Sequence, residues 1–266
     1  MSSHLDVSHA TVERAVAGGG EAISEIVRTL QQPFFALARR MMIDPADAED
    51  ATQEALLRVI THLGQFQATA KFSTWAWRVA VNAYLDFRDR RYAQPQLSLE
   101  AFSGDLADGL DLEAPERADD ALKLEQLKAS CGVALLSTLD AEHRLAYILG
   151  DILEMQSDEA AEVLDIEAPA FRKRLSRARE RVREALSQNC GIVEQSNACR
   201  CHRRLACAQR LGRIGSPQGE ASLNLAALRE HLAQIDTLQR AAAYYRADPA
   251  PKAQRDFPTI IRKLMH

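Results

Sequence analysis

Apolar residues recur every three or four positions through most of this chain, and that spacing predicts helices rather than strands. Ile23, Ile26, Val27, Leu30, Phe34, Leu37 and Met41 make one stripe over 21–42. Pro33 falls inside it, where a kink or break is expected. Asp44-Pro45 supplies a cap and a first-turn proline for a second helix reaching about Leu63. Its inner stripe is Ala48, Ala51, Ala55, Leu56, Val59, Ile60 and Leu63, and Asp47, Asp50, Gln53, Glu54 and Arg58 lie off it. After a loop over 64–70, a helix from Lys71 to Tyr92 is expected, with Ser73 or Thr74 as its cap. Periodicity then lapses over 93–120 and resumes over 121–187. There Asp140 and Ser157 open helices, and a turn at Asp165–Ala168 leads into a longer one faced by Phe171, Leu175, Ala178, Val182 and Leu186. The last stretch, 188–266, carries one expected helix over about 224–247, with Leu225, Leu228, Leu232, Ile235, Leu238, Ala242 and Tyr245 inward, and a short apolar end from Phe257 to Met265. The fold class that follows is all-α: two small helical domains, 1–92 and 121–187, a linker at 93–120, and a helical C-terminal extension at 188–266.

Composition agrees, since Ala, Leu, Arg and Glu dominate and hydrophobic residues make up 47% of the 266 positions. No apolar run reaches the length of a membrane span, and the N-terminus lacks a basic region followed by an apolar one. A cytoplasmic protein with reduced cysteines and no membrane insertion is expected.

The net charge of −4 hides a segregated distribution. Residues 93–120 hold eight acids against one base, and residues 171–183 hold seven bases against one acid. Each block is therefore expected to meet a different partner. A short helix, a tight turn and a basic second helix make a helix-turn-helix, whose second helix can enter the major groove of DNA. The stretch KFSTWAWRVAVNAYLDFRDRRY at 71–92 concentrates aromatics and cations in a chain that is only 6% aromatic. One helix so furnished can stack on bases and neutralise phosphates, or it can be a buried aromatic helix with a basic last turn that suits the helix dipole. No Gly-rich phosphate loop and no nucleophile with a placed base occurs, so no enzyme is expected.

Two blocks resemble bacterial sigma factors of the extracytoplasmic-function class of the sigma-70 family. DPADAEDATQEALLRVITHLGQF with KFSTWAWRVAVNAYLDFRDRR is similar to the family's second region, and LLSTLDAEHRLAYILGDILEMQSDEAAEVLDIEAPAFRKRLSRARERVREAL to its fourth. The resemblance implies that Asp50, Gln53, Glu54 and Leu57 dock on core RNA polymerase. It implies that Lys71, Phe72, Trp75, Asn82, Asp86, Arg88 and Arg90 open and read the −10 promoter element, and that Arg172, Lys173, Ser176 and Arg177 read the −35 element. The acidic linker would thread the polymerase's RNA path. Promoter DNA and core polymerase are the implied partners, an anti-sigma factor a further one, and no cofactor is required. Two departures stand out: Ala170-Phe171 replaces a Thr-Val pair at the start of the recognition helix, and Trp77 stands where an aliphatic or tyrosine is usual. The competing function is a stand-alone helix-turn-helix regulator with a C-terminal sensor, which leaves the 71–92 stretch and the linker unused.

The extension holds four of the five cysteines within 18 residues. Cys199, Cys201, His202 and Cys207 could supply soft ligands to zinc or copper(I), although the spacing is not a pair of C-x-x-C knuckles. Low-pKa thiolates beside Arg200, Arg203 and Arg204 would make a redox switch instead, and plain thiols packed on the DNA-binding half are the third reading.

Overall fold

In a computed structural model the described residues are 5, 7–67, 71–91, 97–117, 120–215, 223–249 and 251–265. The expectations for the loop at 68–70, for Tyr92 and for the side chain of Leu238 lie outside them. Among the described residues all regular structure is helical: α1 (His9–Val16), α2 (Gly20–Met41), α3 (Pro45–Thr61), α4 (Phe72–Arg91), α5 (Leu99–Ala107), α6 (Ala121–Leu136), α7 (Ala141–Tyr147), α8 (Ser157–Leu164), α9 (Ala168–Asn189), α10 (Cys201–Arg210), α11 (Leu225–Gln234), α12 (Thr237–Arg246) and α13 (Phe257–Leu264). A 3-10 turn follows α3 at Leu63–Gln65, and a π-turn follows α7 at Ile148–Ile152. None of these helices is long and apolar enough to cross a membrane.

The chain divides into two compact units. The first takes residues 1–94, 148–174 and 250–266. Its centre is α2, α3 and α4, packed on one another. Alanines at 48, 51 and 55 on α3 and at 76, 80 and 83 on α4 are fully buried, which lets helix axes approach closely. Ile26, Leu30, Phe34 and Leu37 of α2 fill against them. The Tyr84 hydroxyl donates to the Phe34 carbonyl at 3.0 Å. Asp44 caps α3 by accepting from the Ala46 amide at 2.8 Å, with Pro45 in the first turn, as expected. Pro33 does not break α2, because the buried residues on both sides of it hold one continuous helix. Ser73 and Thr74 do not cap α4, which starts a residue earlier at Phe72, and Thr74 is buried. Ser157 is the first residue of α8 rather than its cap; Gln156 takes that position.

The second unit takes 95–147 and 175–249. Its anchor is Lys128 of α6, whose side chain has no exposed surface. The ammonium donates to the Tyr244 carbonyl at 2.6 Å and to the Asp248 carboxylate, and sits 4.1 Å from the centre of the Tyr244 ring. Beside it the Tyr245 hydroxyl donates to the Gly132 carbonyl at 3.1 Å. The 93–120 segment, expected as an irregular linker, contains α5. Ser98 caps that helix, and Phe102 and Leu106, four apart, bury one short face. The helix expected over 224–247 is two, because the backbone of Ile235 is extended and a new helix begins after Asp236. Gly109 has φ +68°, and a Cβ there would lie 2.7 Å from the Cys207 sulfur, so the turn after α5 needs glycine. The extension expected at 188–266 is divided by these contacts: 188–249 belongs to the second unit and 250–266 to the first.

Candidate nucleic-acid interface

The two tryptophans of α4 have opposite environments. Trp77 is 1% exposed and lies against Phe34, ring centres 5.2 Å apart. Trp75, two positions earlier and therefore on another side of the helix, is half-buried. Phe66, Phe72 and Trp75 form an aromatic cluster with ring centres 5.5–5.7 Å apart. Phe72 is buried beneath it at 7% exposure. Trp75 walls an open concavity of about 330 Å³, lined also by Arg58, His62, Gln65, Val79 and Asn82. That volume suits a planar heterocycle, the aromatic wall offers a stacking face, and Asn82, Gln65 and His62 offer hydrogen bonds.

Four charged residues brace the helices behind this concavity. Arg58 bridges Glu54 at 2.6 Å and Asp86 at 2.5 Å, and Arg90 reaches the other oxygen of Glu54 at 2.5 Å. Burial pushes the Glu54 carboxyl up, but hydrogen bonds from Arg90 and Arg58 outweigh it and hold the group below its usual value. Glu54, expected at one interface, and Asp86 and Arg90, expected at another, thus share one ion network. Arg88 pairs with its neighbour Asp89 at 2.6 Å, and Lys71 is exposed. Arg78 donates to the Glu162 carbonyl at 2.9 Å and lies 3.6 Å from Asp165, so within the first unit it caps the C-terminus of α8.

On α9, Arg172, Lys173, Ser176 and Arg177 are all exposed, and Phe171 and Ala178 are fully buried. Helical spacing produces this division: residues 171, 175, 178 and 182 face inward, and the cations take the other side. Phe171 in the place of the usual residue is a core side chain. Asp165 turns the chain before α9 with φ +55°, in the left-handed region.

Asp50, Gln53, Glu54 and Leu57 lie on the outer side of α3, Asp50 exposed and the others half-buried. Asp50 and Gln53 both receive Arg255, at 2.5 and 3.4 Å. Two acids of the 93–120 segment are likewise met by arginines within their unit. Asp105 pairs with Arg204 at 2.7 Å and with Arg213 at 2.5 Å, and Glu116 with Arg229 at 3.1 Å. The Arg213 hydrogen bond, with Arg204 beside it, holds the Asp105 carboxyl below its usual value against burial.

Cys199, Cys201, His202 and Cys207 do not come together, and among the described residues no three His, Cys, Asp or Glu side chains form a metal-holding group. His202 turns to Glu116 at 3.8 Å, and Cys207 is buried with Arg210 3.5 Å from its sulfur. Cys199 and Cys201 lie instead within electrostatic reach of Cys131 and Cys190. Burial pushes all four of these thiols up, Cys199 to about 11, the opposite direction to the lowered thiol that the redox reading invokes.

Of the residues at this concavity and its aromatic cluster, the sequence named Trp75, Phe72 and Asn82 as site candidates but not Arg58, Phe66, His62 or Gln65. A signal existed for Arg58, which follows Glu54 by four positions on one helix face. Phe66 sits in a loop, where no periodicity marks its direction.

Residues 26–93 match the family described as Sigma-70 region 2, and residues 133–182 match Sigma-70, region 4. The probable RNA polymerase sigma factor RfaY of Xanthomonas campestris pv. campestris is 33% identical over 191 residues, 71% of this chain and 46% of that protein, so the match spans about half of that relative's length. The RNA polymerase sigma-H factor of Pseudomonas aeruginosa is 30% identical over 181 residues, covering 66% of this chain and 91% of that protein. The ECF RNA polymerase sigma factor SigW of Bacillus subtilis is 28% identical over 183 residues, covering 66% and 94%. The structure of CnrH in complex with the cytosolic domain of CnrY shares the fold, with a TM-score of 0.51 at 22% identity over 68% of this chain and 98% of that one. With regions 2 and 4 in order along the sequence and the sigma-H and SigW relatives matched over nearly their full length, this chain belongs to the extracytoplasmic-function class of the sigma-70 family and is a sigma factor of transcription initiation.

Proposed function

We propose that the first domain captures an unstacked −10 base in the concavity beside Trp75, while α9 reads the −35 duplex. The observation that carries this reading is the contrast between Trp75 and Trp77. One is committed to the core, and the other stands at the wall of a base-sized concavity next to the exposed amide of Asn82. Lys71, exposed one residue before α4, is the phosphate contact in this reading. Arg88 supplies a second cation near the duplex edge; Asp86 through Arg58, and Arg90 through Glu54, brace the concavity that Trp75 walls. On α9, Arg172, Lys173, Ser176 and Arg177 present donors to base edges and phosphates.

The outer side of α3, with Asp50, Gln53, Glu54 and Leu57, is the surface offered to core polymerase. The acidic 93–120 segment serves as the connector that imitates nucleic acid against basic walls. Residues 188–266 are then a regulatory extension. The protein works without catalysis of its own, in the cytoplasm where polymerase and promoter meet. An anti-sigma protein would act by covering these same faces.

The test is reconstitution. Purified core polymerase plus this chain should give a promoter-specific transcript and a permanganate-reactive −10 bubble. A chain that binds duplex DNA alone and adds no promoter-specific transcription to core polymerase would be a stand-alone regulator, and the reading would fail.

A further inference from the structure

The C-terminal segment is docked on the helices that carry the proposed polymerase surface. Phe257 and Ile261, one turn apart on α13, are fully buried, and α13 packs on α2 and α3. Asp256 starts that helix by accepting from the Thr259 amide at 3.3 Å and the Thr259 hydroxyl at 2.6 Å. Arg262 donates to the Ser24 hydroxyl at 2.8 Å, and Gln32 donates to the Pro251 carbonyl. The segment leading into α13 lies on α3 itself. The Gln254 amide donates to Glu49 at 2.7 Å, and Arg255 forks onto Glu49 at 3.1 Å and Asp50 at 2.5 Å and reaches Gln53 at 3.4 Å. Three polar positions of α3 are thus satisfied by a segment some 200 residues away in sequence.

We propose that residues 251–264 are a built-in cover for the outer face of α3, which core polymerase must displace before this sigma factor joins it. The proposal rests on the reading of α3 as the polymerase surface. Arg255 takes the place a basic residue of the partner would take on Asp50. The anchors, Phe257 and Ile261, hold the cover through α13, so the arginine segment lifts first and α13 follows it. The cover is also imperfectly seated. An open concavity of about 380 Å³ remains between it and α2, lined by Arg28, Gln31, Gln32, Arg255 and Asp256. Water can enter there as the segment leaves, and exposed ion pairs such as Arg255–Asp50 exchange readily with solvent. Such a cover lowers the apparent affinity for polymerase by the fraction of chains that are open, and anything that weakens it recovers that affinity.

The test uses the full chain and purified core polymerase. Arg255→Glu, a change at the surface, should bind core polymerase about tenfold more tightly than the unaltered chain if about one chain in ten is open at rest. Phe257→Ser, which loosens the anchor, should act in the same direction. Amides of 257–264 should lose hydrogen-exchange protection when polymerase binds the unaltered chain. Asp50→Arg separates the cover from the surface it covers. If Asp50→Arg weakens polymerase binding while Arg255→Glu and Phe257→Ser leave it unchanged, α3 is the docking face and the cover is refuted. If Asp50→Arg leaves binding unchanged, the reading of α3 has failed and the cover with it.

Discussion

Replacing Trp75 and Trp77 one at a time should separate strand opening from folding. Trp77→Ala empties a fully enclosed site against Phe34 and should cost about 3–5 kcal/mol of stability, the usual range for truncating a buried large aromatic. In a domain whose total stability is of order 5–15 kcal/mol, that loss threatens the fold and every activity with it. Trp75→Ala removes tilted contacts to Phe66 and Phe72, which at about 0.5–1.5 kcal/mol for an aromatic pair leaves the domain folded. What it removes in addition is the stacking wall, worth about 1–3 kcal/mol per base, or about 5- to 150-fold in affinity for an unpaired −10 strand. The measurements are urea unfolding of each variant, and binding of the sigma–polymerase complex to a forked promoter with a single-stranded −10 element beside a fully duplex control. Trp75→Ala should weaken the fork far more than the duplex, and Trp75→Phe, which keeps a ring face, should recover most of the loss. Equal weakening of fork and duplex by Trp75→Ala, with no recovery by phenylalanine, would show that Trp75 only packs and would remove the concavity from the mechanism.

Arg172→Ala with Arg177→Ala should lower affinity for the −35 duplex by about 1–3 kcal/mol for each arginine that reaches a base edge and should flatten the salt dependence; unchanged affinity takes α9 out of the interface. Asp248→Ala strands the buried Lys128 ammonium and should cost about 3–5 kcal/mol of second-unit stability, while Lys128→Met with Asp248→Leu should recover most of it; a urea midpoint that barely moves in Asp248→Ala would show that the pair does not hold the unit together. Asp105 has its carboxyl held down in the folded chain by Arg213 and Arg204, so its contribution is complete above the unfolded value of about 3.9 and fades as pH falls from there toward the lower folded value. Unfolding midpoints between pH 5 and 3 should therefore fall more steeply for the unaltered chain than for Asp105→Asn, and parallel curves would dismiss this pairing as the acid-labile one.

The elements legible in sequence are those with long, regular stripes. The stripe from Ile23 to Met41 survives a proline because seven apolar residues agree on one face, and the α8–turn–α9 arrangement follows from Asp165, Pro169 and the alternation of Phe171, Leu175 and Ala178 with cations. On α4 the stretch is recognisable, but the roles of its aromatics are not. Trp77 shares a face with Ala80, Val81 and Tyr84, and only the position of Phe34 on a neighbouring helix shows that this face is the buried one. Short elements escape for a different reason. Phe102 and Leu106 make only one turn of stripe, too little to stand out within an acidic segment. Spacing along the chain groups Cys199 and Cys201 with His202 and Cys207, whereas folding sets them near Cys131 and Cys190 and turns His202 to Glu116.

Charge shows most clearly what one-dimensional reading lacks. Segregated blocks of acid and base predict separate external partners, polymerase for one and DNA for the other. On α9 the cations Arg172, Lys173 and Arg177 remain exposed, as an external partner would require. For the acids that inference is incomplete. Asp50 is met by Arg255, Asp105 by Arg204 and Arg213, and Glu116 by Arg229, all of them bases from the extension. The extension is thus a stand-in for the basic surfaces that the acids would otherwise find outside the chain. An acid already paired at 2.5–3.1 Å gains little from a new base unless the old one leaves, so on the proposed reading of these surfaces polymerase binding would be an exchange of arginines rather than an addition of them. Exchange of this kind leaves the net charge of the interface nearly unchanged while altering which chain supplies it. If α3 is the polymerase surface, as proposed, Arg255 rather than Asp50 alone would set the threshold for assembly.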